Sequence, residues 1–522
     1  MSKVAQCNEM PRRAFLTTAA GAAARLTLGG ALPSQAQVAA RGAESKRGGT
    51  FTLASPVAIQ YFNPFHPVVL HLQRAFWNSL ARYDSNMQLQ PELAEKWDIS
   101  PDGKSVTLKL REGVKYHSGR EFIAPDVKAN WAFASTDERS TMISMFKMIK
   151  QVETPSRYVA VLKFDTLYTG VYDLLDMLFI MEPDSIEKRW NTASGTGPFM
   201  IDKYVPNDRV EMVAFKDYWD KGKPYLDKYV GRIVPDQSAL AINLEAGAVD
   251  CAFQLNYVDA NLLKQSGGKF VVDTGAAGGE KFDVGINVEL PPFTDKKVRQ
   301  AIAWSIDRAR FCKTVLQGLF EPSCLMWPPF SWAYFKDLEG KIGFDLDRAK
   351  ALLKEAGLER GFETEILAST KRQFGTGDLA QIIAADLAKI GIKAKVVDTE
   401  PAVYNTRHLK GDIAVLSHVY GRANRDPGVL VDGAKAWTNK KQGNWTHWDN
   451  AEWDRLRAEL NSTLDMEKRK ATARKLQEMA LDECFTIPVA PYAALWAYST
   501  RVKGMSHSVM NEPLVGSIWL ES

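Results

Sequence analysis

Hydrophobic and polar residues alternate strictly over residues 105–110, which places Val106, Leu108 and Leu110 on one face. This period of two predicts a half-buried β-strand. Asp102-Gly103, directly before the segment, is typical of a tight turn. Further predicted strands in the first half of the chain are residues 50–54, 159–164 and 210–215.

The second half of the chain has the longer period of amphipathic helices. Residues 295–316, 347–356 and 378–390 each place their apolar side chains along one stripe. Gly357 and Gly391 follow the last two segments and are typical of the left-handed residue that ends a helix.

Apolar segments that we predict as strands surround the helix at 378–390, namely residues 364–369, 393–398 and 412–418. Strand, helix and strand at this spacing indicate a parallel crossover unit with a buried sheet. The sequence therefore predicts an α/β fold class with two lobes, one rich in strands and one of α/β character over residues 290–485.

The 522 residues are 45% hydrophobic and 25% charged, which is typical of a folded protein of about three domains. This balance excludes a disordered, collagen-like or multi-span membrane protein. The net charge is +4, and residues 1–40, with four basic residues and one acidic residue, account for +3 of it. Such a nearly neutral remainder indicates no nucleic-acid partner.

The first 36 residues have the pattern of an export signal. Pro11-Arg12-Arg13 is followed by a weakly apolar stretch and then by Ser34 and Ala36, which suit a cleavage site. The paired arginines indicate a twin-arginine signal peptide over residues 1–36, and hence a soluble periplasmic protein. An ordinary secretion signal and a membrane anchor are the alternatives, but Arg25 interrupts the apolar stretch.

Four cysteines remain after removal of this segment, and we expect buried, unpaired thiols. Disulfides with three possible pairings are the alternative in an oxidising compartment. The cysteines are Cys251, Cys312, Cys324 and Cys484.

Enzyme motifs are missing from the sequence. There is no G-x-S-x-G nucleophile elbow and no phosphate-binding loop, and His66 and His71 are poorly spaced for zinc. We therefore predict a protein without metal, cofactor or catalytic residues. A secreted hydrolase remains an alternative, because catalytic triads assemble from distant positions.

Four tryptophans, Trp437, Trp445, Trp448 and Trp453, fall within 17 residues. They indicate either packing of the lobe or an aromatic wall for a ligand, for which Trp437 and Trp445 are the candidates.

The loop after the last predicted strand contains Tyr420, Arg422, Arg425 and Asp426. Loops at the carboxyl ends of strands in α/β sheets bind ligands, and arginines pair well with carboxylates. The alternative is a solvated loop with internal pairing of arginine and aspartate.

Dense motifs occur in order along the chain from about Gly48 to the C-terminus. They are residues 91–97 (PELAEKW), 102–114 (DGKSVTLKLREGV), 116–119 (YHSG), 124–127 (APDV), 195–199 (GTGPF), 222–227 (GKPYLD), 247–250 (GAVD), 292–301 (PFTDKKVRQA) and 349–357 (AKALLKEAG). In these motifs the chain resembles the periplasmic solute-binding proteins of ABC importers, in the oligopeptide-, dipeptide- and nickel-binding family 5.

The resemblance implies a type II periplasmic binding-protein fold with two lobes, an extra inserted domain and a ligand cleft between the lobes. It implies crossovers near Asn287 and Cys484 that form a hinge. The implied domains are a first-lobe core of residues 48–66, 193–286 and 486–522, an inserted domain of residues 67–192 and a second lobe of residues 287–485.

Dipeptide-binding members hold the ligand ammonium with an aspartate whose position here is Ala423. They hold the carboxylate with an arginine whose position here is Thr370, next to Lys371 and Arg372. An ordinary dipeptide therefore fits poorly, and we expect a ligand with a carboxylate or another anionic group. The candidate binding residues are Asn63, Thr370, Lys371, Arg372, Tyr420, Arg422, Arg425, Asp426, Trp437 and Trp445.

By this resemblance the protein is a monomeric, non-enzymatic receptor that closes over a small polar solute or short peptide. It delivers the solute to the membrane subunits of an ABC permease. The alternatives are a secreted hydrolase, a binding protein that feeds a chemoreceptor, and a peptide chaperone.

Overall fold

The computed structural model describes residues 47–59, 61–65, 70–138, 140, 142–189, 192–274, 279–423 and 425–521. All of them belong to one compact unit of the chain. None of the helices in these ranges has both the length and the hydrophobicity that a membrane span requires.

The strands form three larger sheets and two short ribbons. In chain order they are β1 (Thr50–Ser55), β2 (Ala81–Tyr83), β3 (Leu89–Pro91), β4 (Ala94–Ile99), β5 (Ser105–Leu110), β6 (Ile149–Ser156), β7 (Val159–Phe164), β8 (Phe199–Val205), β9 (Arg209–Ala214), β10 (Lys228–Ile233), β11 (Cys251–Leu255), β12 (Phe270–Asp273), β13 (Glu280–Ile286), β14 (Glu363–Ala368), β15 (Lys393–Asp398), β16 (Val415–Tyr420), β17 (Thr486–Tyr492), β18 (Leu495–Ser499), β19 (Val502–Lys503) and β20 (Trp519–Leu520).

The α-helices lie mainly in the second half of the chain. They are α1 (Leu70–Phe76), α2 (Ala124–Ala134), α3 (Ile143–Phe146), α4 (Val171–Met177), α5 (Gln237–Glu245), α6 (Tyr257–Lys264), α7 (Lys296–Ser305), α8 (Arg308–Thr314), α9 (Leu346–Glu355), α10 (Thr376–Ala388), α11 (Pro401–Lys410), α12 (Pro427–Gly433), α13 (Ala451–Asn461) and α14 (Met466–Glu483). Short 3-10 turns occupy Pro183–Lys188, Lys336–Leu338, Lys440–Gln442 and Val515–Ser517.

The first lobe is built on a seven-stranded sheet of order β12-β18-β11-β1-β10-β9-β8 and a four-stranded antiparallel sheet of order β4-β5-β7-β6. In the first sheet β1 lies centrally and is parallel to both neighbours. In the second, the alternating positions Val106, Leu108 and Leu110 are buried as predicted. Their side chains join a single apolar cluster that extends across both sheets.

The second lobe is built on a five-stranded sheet of order β15-β14-β16-β13-β17. Strands β14 and β15 are parallel and α10 connects them, which confirms the predicted crossover unit and the α/β fold class. Gly357 and Gly391 both have a positive φ, as the predicted helix ends require.

The predicted helix at 295–316 is divided into α7 and α8. The break occurs at Asp307, whose side chain accepts a hydrogen bond from the Arg310 backbone N–H at 2.9 Å and so caps a new helix. The Asp307 N–H donates to the buried Asp386 carboxylate at 3.0 Å instead of continuing α7. The apolar stripe continues across this break, and periodicity alone therefore does not reveal it.

Strands β13 and β17 flank the predicted crossovers near Asn287 and Cys484. The predicted division assigns both strands to the first lobe, but their hydrogen bonds join them to β16 and to each other in the second sheet. The chain therefore changes sheet before β13 and after β17. The division into domains stays a prediction.

All four described cysteines are buried and unpaired, which agrees with the expected free thiols. They are Cys251, Cys312, Cys324 and Cys484.

We predict that Gly285→Ala destabilises the fold, because a Cβ at this position in β13 would lie 1.3 Å from Cη2 of Trp445. Overpacking of a core typically costs about 1–3 kcal/mol. Thermal and chemical denaturation measure the loss of unfolding free energy.

Gly343→Ala is the control, since its new Cβ would meet only Trp304, at 3.8 Å. The double variant Gly285→Ala, Trp445→Phe removes the clashing atoms and should regain part of the stability. Absence of this rescue would contradict the packing explanation.

Candidate functional site

A cleft of about 900 Å³ lies between the two lobes. The first lobe contributes the N-terminal ends of α5 and α6, and the second contributes the loop that connects β14 to α10. Side chains on its walls include Gln254, Tyr257, Thr370, Arg372, Phe374 and Tyr492. Residues from both lobes therefore reach the same space.

The loop before α10 brings Thr370, Lys371 and Arg372 to the cleft wall. Thr370 is held by Asp398, which accepts from its Oγ1 at 2.8 Å and from its backbone N–H at 3.0 Å. Lys371 forms an exposed ion pair with Glu400. Two of the three predicted side chains are thus occupied by neighbouring carboxylates.

Arg372 differs from its two neighbours. Its guanidinium lies over the Tyr404 ring, 5.3 Å from the centroid, and the side chain is exposed. Among the described residues no carboxylate forms an ion pair with it. A guanidinium held over an aromatic ring still has N–H donors that can bind a carboxylate.

Glu280, the first residue of β13, is a site residue that the sequence analysis missed. Its side chain keeps exposed surface and lies next to the cleft residue Tyr492, its neighbour across the strand pair. Desolvation by the surrounding protein raises the pKa of the carboxyl to about 7. The positive charge of Arg372 opposes this rise in the pKa of Glu280. The two side chains are therefore close enough to interact electrostatically. The sequence signal, a glutamate after Gly278-Gly279 near a predicted crossover, is too weak to identify it.

A second cavity of about 500 Å³ also lies between the lobes. Met145, Leu167 and Tyr168 of the first lobe face Arg422 and Val429 of the second across it. Burial lowers the pKa of the Arg422 guanidinium from its ordinary value. Arg422 of the predicted loop therefore lines this cavity.

Arg425 and Asp426 contact the opposite lobe. Arg425 is buried, and its Nη1 donates to Oδ2 of Asp176 in α4 at 2.7 Å. The backbone N–H of Asp426 donates to Asp173, and its carboxylate pairs with Arg469 at 2.5 Å. The loop is therefore not solvated, and Arg425 pairs with a carboxylate of the other lobe.

Trp437 and Tyr420 lie in the core of the second lobe. Trp437 has no exposed surface and packs edge-on against Tyr420 and Phe485. The Tyr420 hydroxyl donates to the carbonyl of Met326 at 2.9 Å. Both positions agree with the packing interpretation, since neither ring faces the cleft.

Trp445 and Asn63 are likewise enclosed. Trp445 packs edge-on against His418, which pairs with the buried Asp283 at 2.8 Å. Asn63 accepts from the Phe65 backbone N–H at 2.9 Å and stabilises its own turn. Within the described ranges, no cluster of three metal-ligating side chains occurs.

Comparison with known proteins identifies the class to which this two-lobed fold and cleft belong. The family profile described as bacterial extracellular solute-binding proteins, family 5 Middle, matches residues 88–442. The chain therefore belongs to family 5 of the bacterial extracellular solute-binding proteins, which confirms the resemblance.

Curated relatives are similar over most of their length. Heme-binding protein A of Haemophilus influenzae is 28% identical over 469 residues, which cover 83% of this chain and 84% of the relative. The dipeptide-binding protein of Escherichia coli is 27% identical over 449 residues, covering 79% and 83%.

A solved structure has the same fold. The ABC transporter-associated periplasmic binding protein DppA from Helicobacter pylori, in complex with the peptide STSA, matches with a TM-score of 0.76 at 24% identity. The match covers 92% of this chain and 100% of that chain.

Asp173 generates a prediction about pH. This carboxyl is fully buried, its Oδ2 accepts the Asp426 N–H at 3.1 Å, and burial raises its pKa to about 7. Asp426 and Asp176 add to the rise and Arg425 opposes it. The folded state therefore binds the proton more tightly than the unfolded state, so Asp173 favours folding progressively as the pH falls from 7 to 4.

The amide of the Asp173→Asn variant cannot ionise, so at pH 8 we expect this variant to melt at a higher temperature than the wild type. The difference in melting temperature should shrink toward pH 5. Differential scanning calorimetry across this range measures it. Asp165→Asn, at an exposed ion pair with Lys150, is the control and should show no such trend. A difference that grows on acidification would contradict the assignment.

Proposed function

We propose that the protein is an exported, monomeric periplasmic receptor of an ABC importer that captures a small solute bearing a carboxylate. The observation that carries this proposal is Arg372, an exposed guanidinium on the cleft wall without a carboxylate partner among the described residues. The solute carboxylate would take the bidentate position on this guanidinium.

Capture would proceed by closure of the lobes. Solute contacts shared by α6 of the first lobe and the Arg372 loop of the second exist only while the lobes are together, so a solute favours the closed form. The closed form would then dock on the membrane permease. The predicted signal peptide, which supports export, lies outside the described residues.

The relatives support a peptide-like solute. The Escherichia coli relative is named for the binding of dipeptides, and the Helicobacter pylori protein is in complex with the peptide STSA. Peptides carry a terminal carboxylate, with which the Arg372 guanidinium would form an ion pair. Heme-binding protein A supports the same carboxylate chemistry on a larger molecule, because heme carries propionates.

We expect Arg372→Gln to weaken binding of a carboxylate-bearing peptide by about 10- to 100-fold, the effect of losing a charge-assisted hydrogen bond. Isothermal titration calorimetry measures the affinity, and small-angle scattering with and without peptide measures compaction of the protein.

The matched control is Arg348→Gln. Arg348 is exposed and stacks on Trp304, 4.3 Å from the ring centroid, but lies on α9 outside the cleft. Equal losses of peptide affinity in the two variants would contradict the proposed site. Scattering that stays unchanged with every peptide that binds would contradict it as well. Native mass spectrometry that detects a converted product would support the hydrolase instead.

A further inference from the structure

Glu280 is unusual among the carboxylates at the contact between the lobes. Asp173 accepts a backbone N–H, Asp176 is held by two arginines, and Asp398 holds Thr370. By contrast, no described residue donates a hydrogen bond to the Glu280 carboxylate or forms an ion pair with it. A desolvated carboxylate without a partner among the described residues is costly, and such groups are concentrated at functional sites.

Glu280 lies beside residues that belong to, or adjoin, both cavities between the lobes. Its partner across the strand pair is Tyr492, which lines the cleft. On the other side it lies against Gly421, where a Cβ would be 3.2 Å from Oε1, and Gly421 precedes Arg422 of the second cavity. The Glu280 carboxylate therefore has a residue of the cleft wall on one side and the residue before Arg422 on the other.

Three titratable groups face Glu280 from the surrounding elements. Arg372, on the loop before α10, favours the ionised carboxylate. Tyr257 of α6 and Tyr492 of β17 have pKa values raised by burial, so both phenols stay neutral at physiological pH. Arg372 is thus the charged group that faces Glu280, and it forms no ion pair with Glu280.

We infer that Glu280 binds a positively charged group of the solute, while Arg372 binds its anionic group. This inference rests on the proposed function. It assigns a solute that carries both an ammonium-type cation and a carboxylate. It also explains how the cleft accommodates such a solute although Ala423 and Thr370 occupy the positions of the anchoring residues in dipeptide-binding members.

The effect of pH on affinity follows from the same geometry. The carboxyl of Glu280 has a pKa of about 7 without solute, and a bound cation favours its ionised form. Affinity for the cationic group should therefore increase as the pH rises from 5.5 to about 7, and level off above that value.

The test uses short peptides of two to four residues, each in a free, an N-acetylated and a C-amidated form, together with aliphatic dicarboxylates. Titration calorimetry with the wild-type protein should show binding of free peptides, and N-acetylation should weaken it by about tenfold or more. Glu280→Gln should bind the free and N-acetylated forms equally and lose the rise in affinity between pH 5.5 and 7.

Glu363→Gln is the matched control, because it removes one negative charge from an exposed side chain of the same lobe, on β14, whose ion-pair partner Lys393 lies outside the cleft lining. It should retain the preference for the free amine. Equal binding of the two peptide forms by wild type, or a preference that persists in Glu280→Gln, would overturn the inference.

The outcomes separate this inference from the proposed function. If dicarboxylates or N-acetylated peptides bind tightly and compact the protein in small-angle scattering, the receptor function stands and the role of Glu280 is wrong. If no compound of the panel binds and scattering stays unchanged, both are wrong.

Discussion

The buried carboxylate of Asp176 lies where the two lobes meet, and the arrangement of both lobes depends on its two ion pairs. Arg74 of the first lobe donates to it at 3.0 Å, and Arg425 of the second lobe donates at 2.7 Å. Arg74 also pairs with Glu92 and Glu512, so positive and negative charges alternate through the contact. Removing one member of such a network leaves an uncompensated buried charge, and the geometry of the charges therefore fixes how the lobes meet.

The same contact contains charges of a second kind. Glu280 and Arg372 have opposite signs and influence each other, but neither forms an ion pair with a described residue. A structural ion pair gives rigidity, whereas two separated charges give a polarity that a solute must match. In the proposed function these two charges select the solute, and apolar residues of the cleft wall such as Phe374 add nonpolar contact area.

Much of the fold is predictable from the sequence because local patterns determine it. The alternation at residues 105–110 and the crossover at residues 364–398 depend on neighbours along the chain, and both are confirmed. The site is less predictable, because Arg425 finds its partner 249 residues away and Trp437 packs against three rings, those of Tyr420, Trp453 and Phe485, from separate parts of the second lobe. Glu280 is harder still to predict, since what distinguishes it is that no described residue forms an ion pair or hydrogen bond with its carboxylate. Sequence patterns record only which residues are present.

The antiparallel pairing of β13 with β17 has a mechanical consequence. The chain passes between the sheets before β13 and again after β17, and the hydrogen bonds between these strands hold both passages side by side. In the proposed closure of the lobes, two adjacent connections would oppose twisting and sliding, and would leave rotation about one axis. A single distance between one spin label on each lobe, recorded by pulsed electron resonance, would then be sufficient to follow the proposed closure.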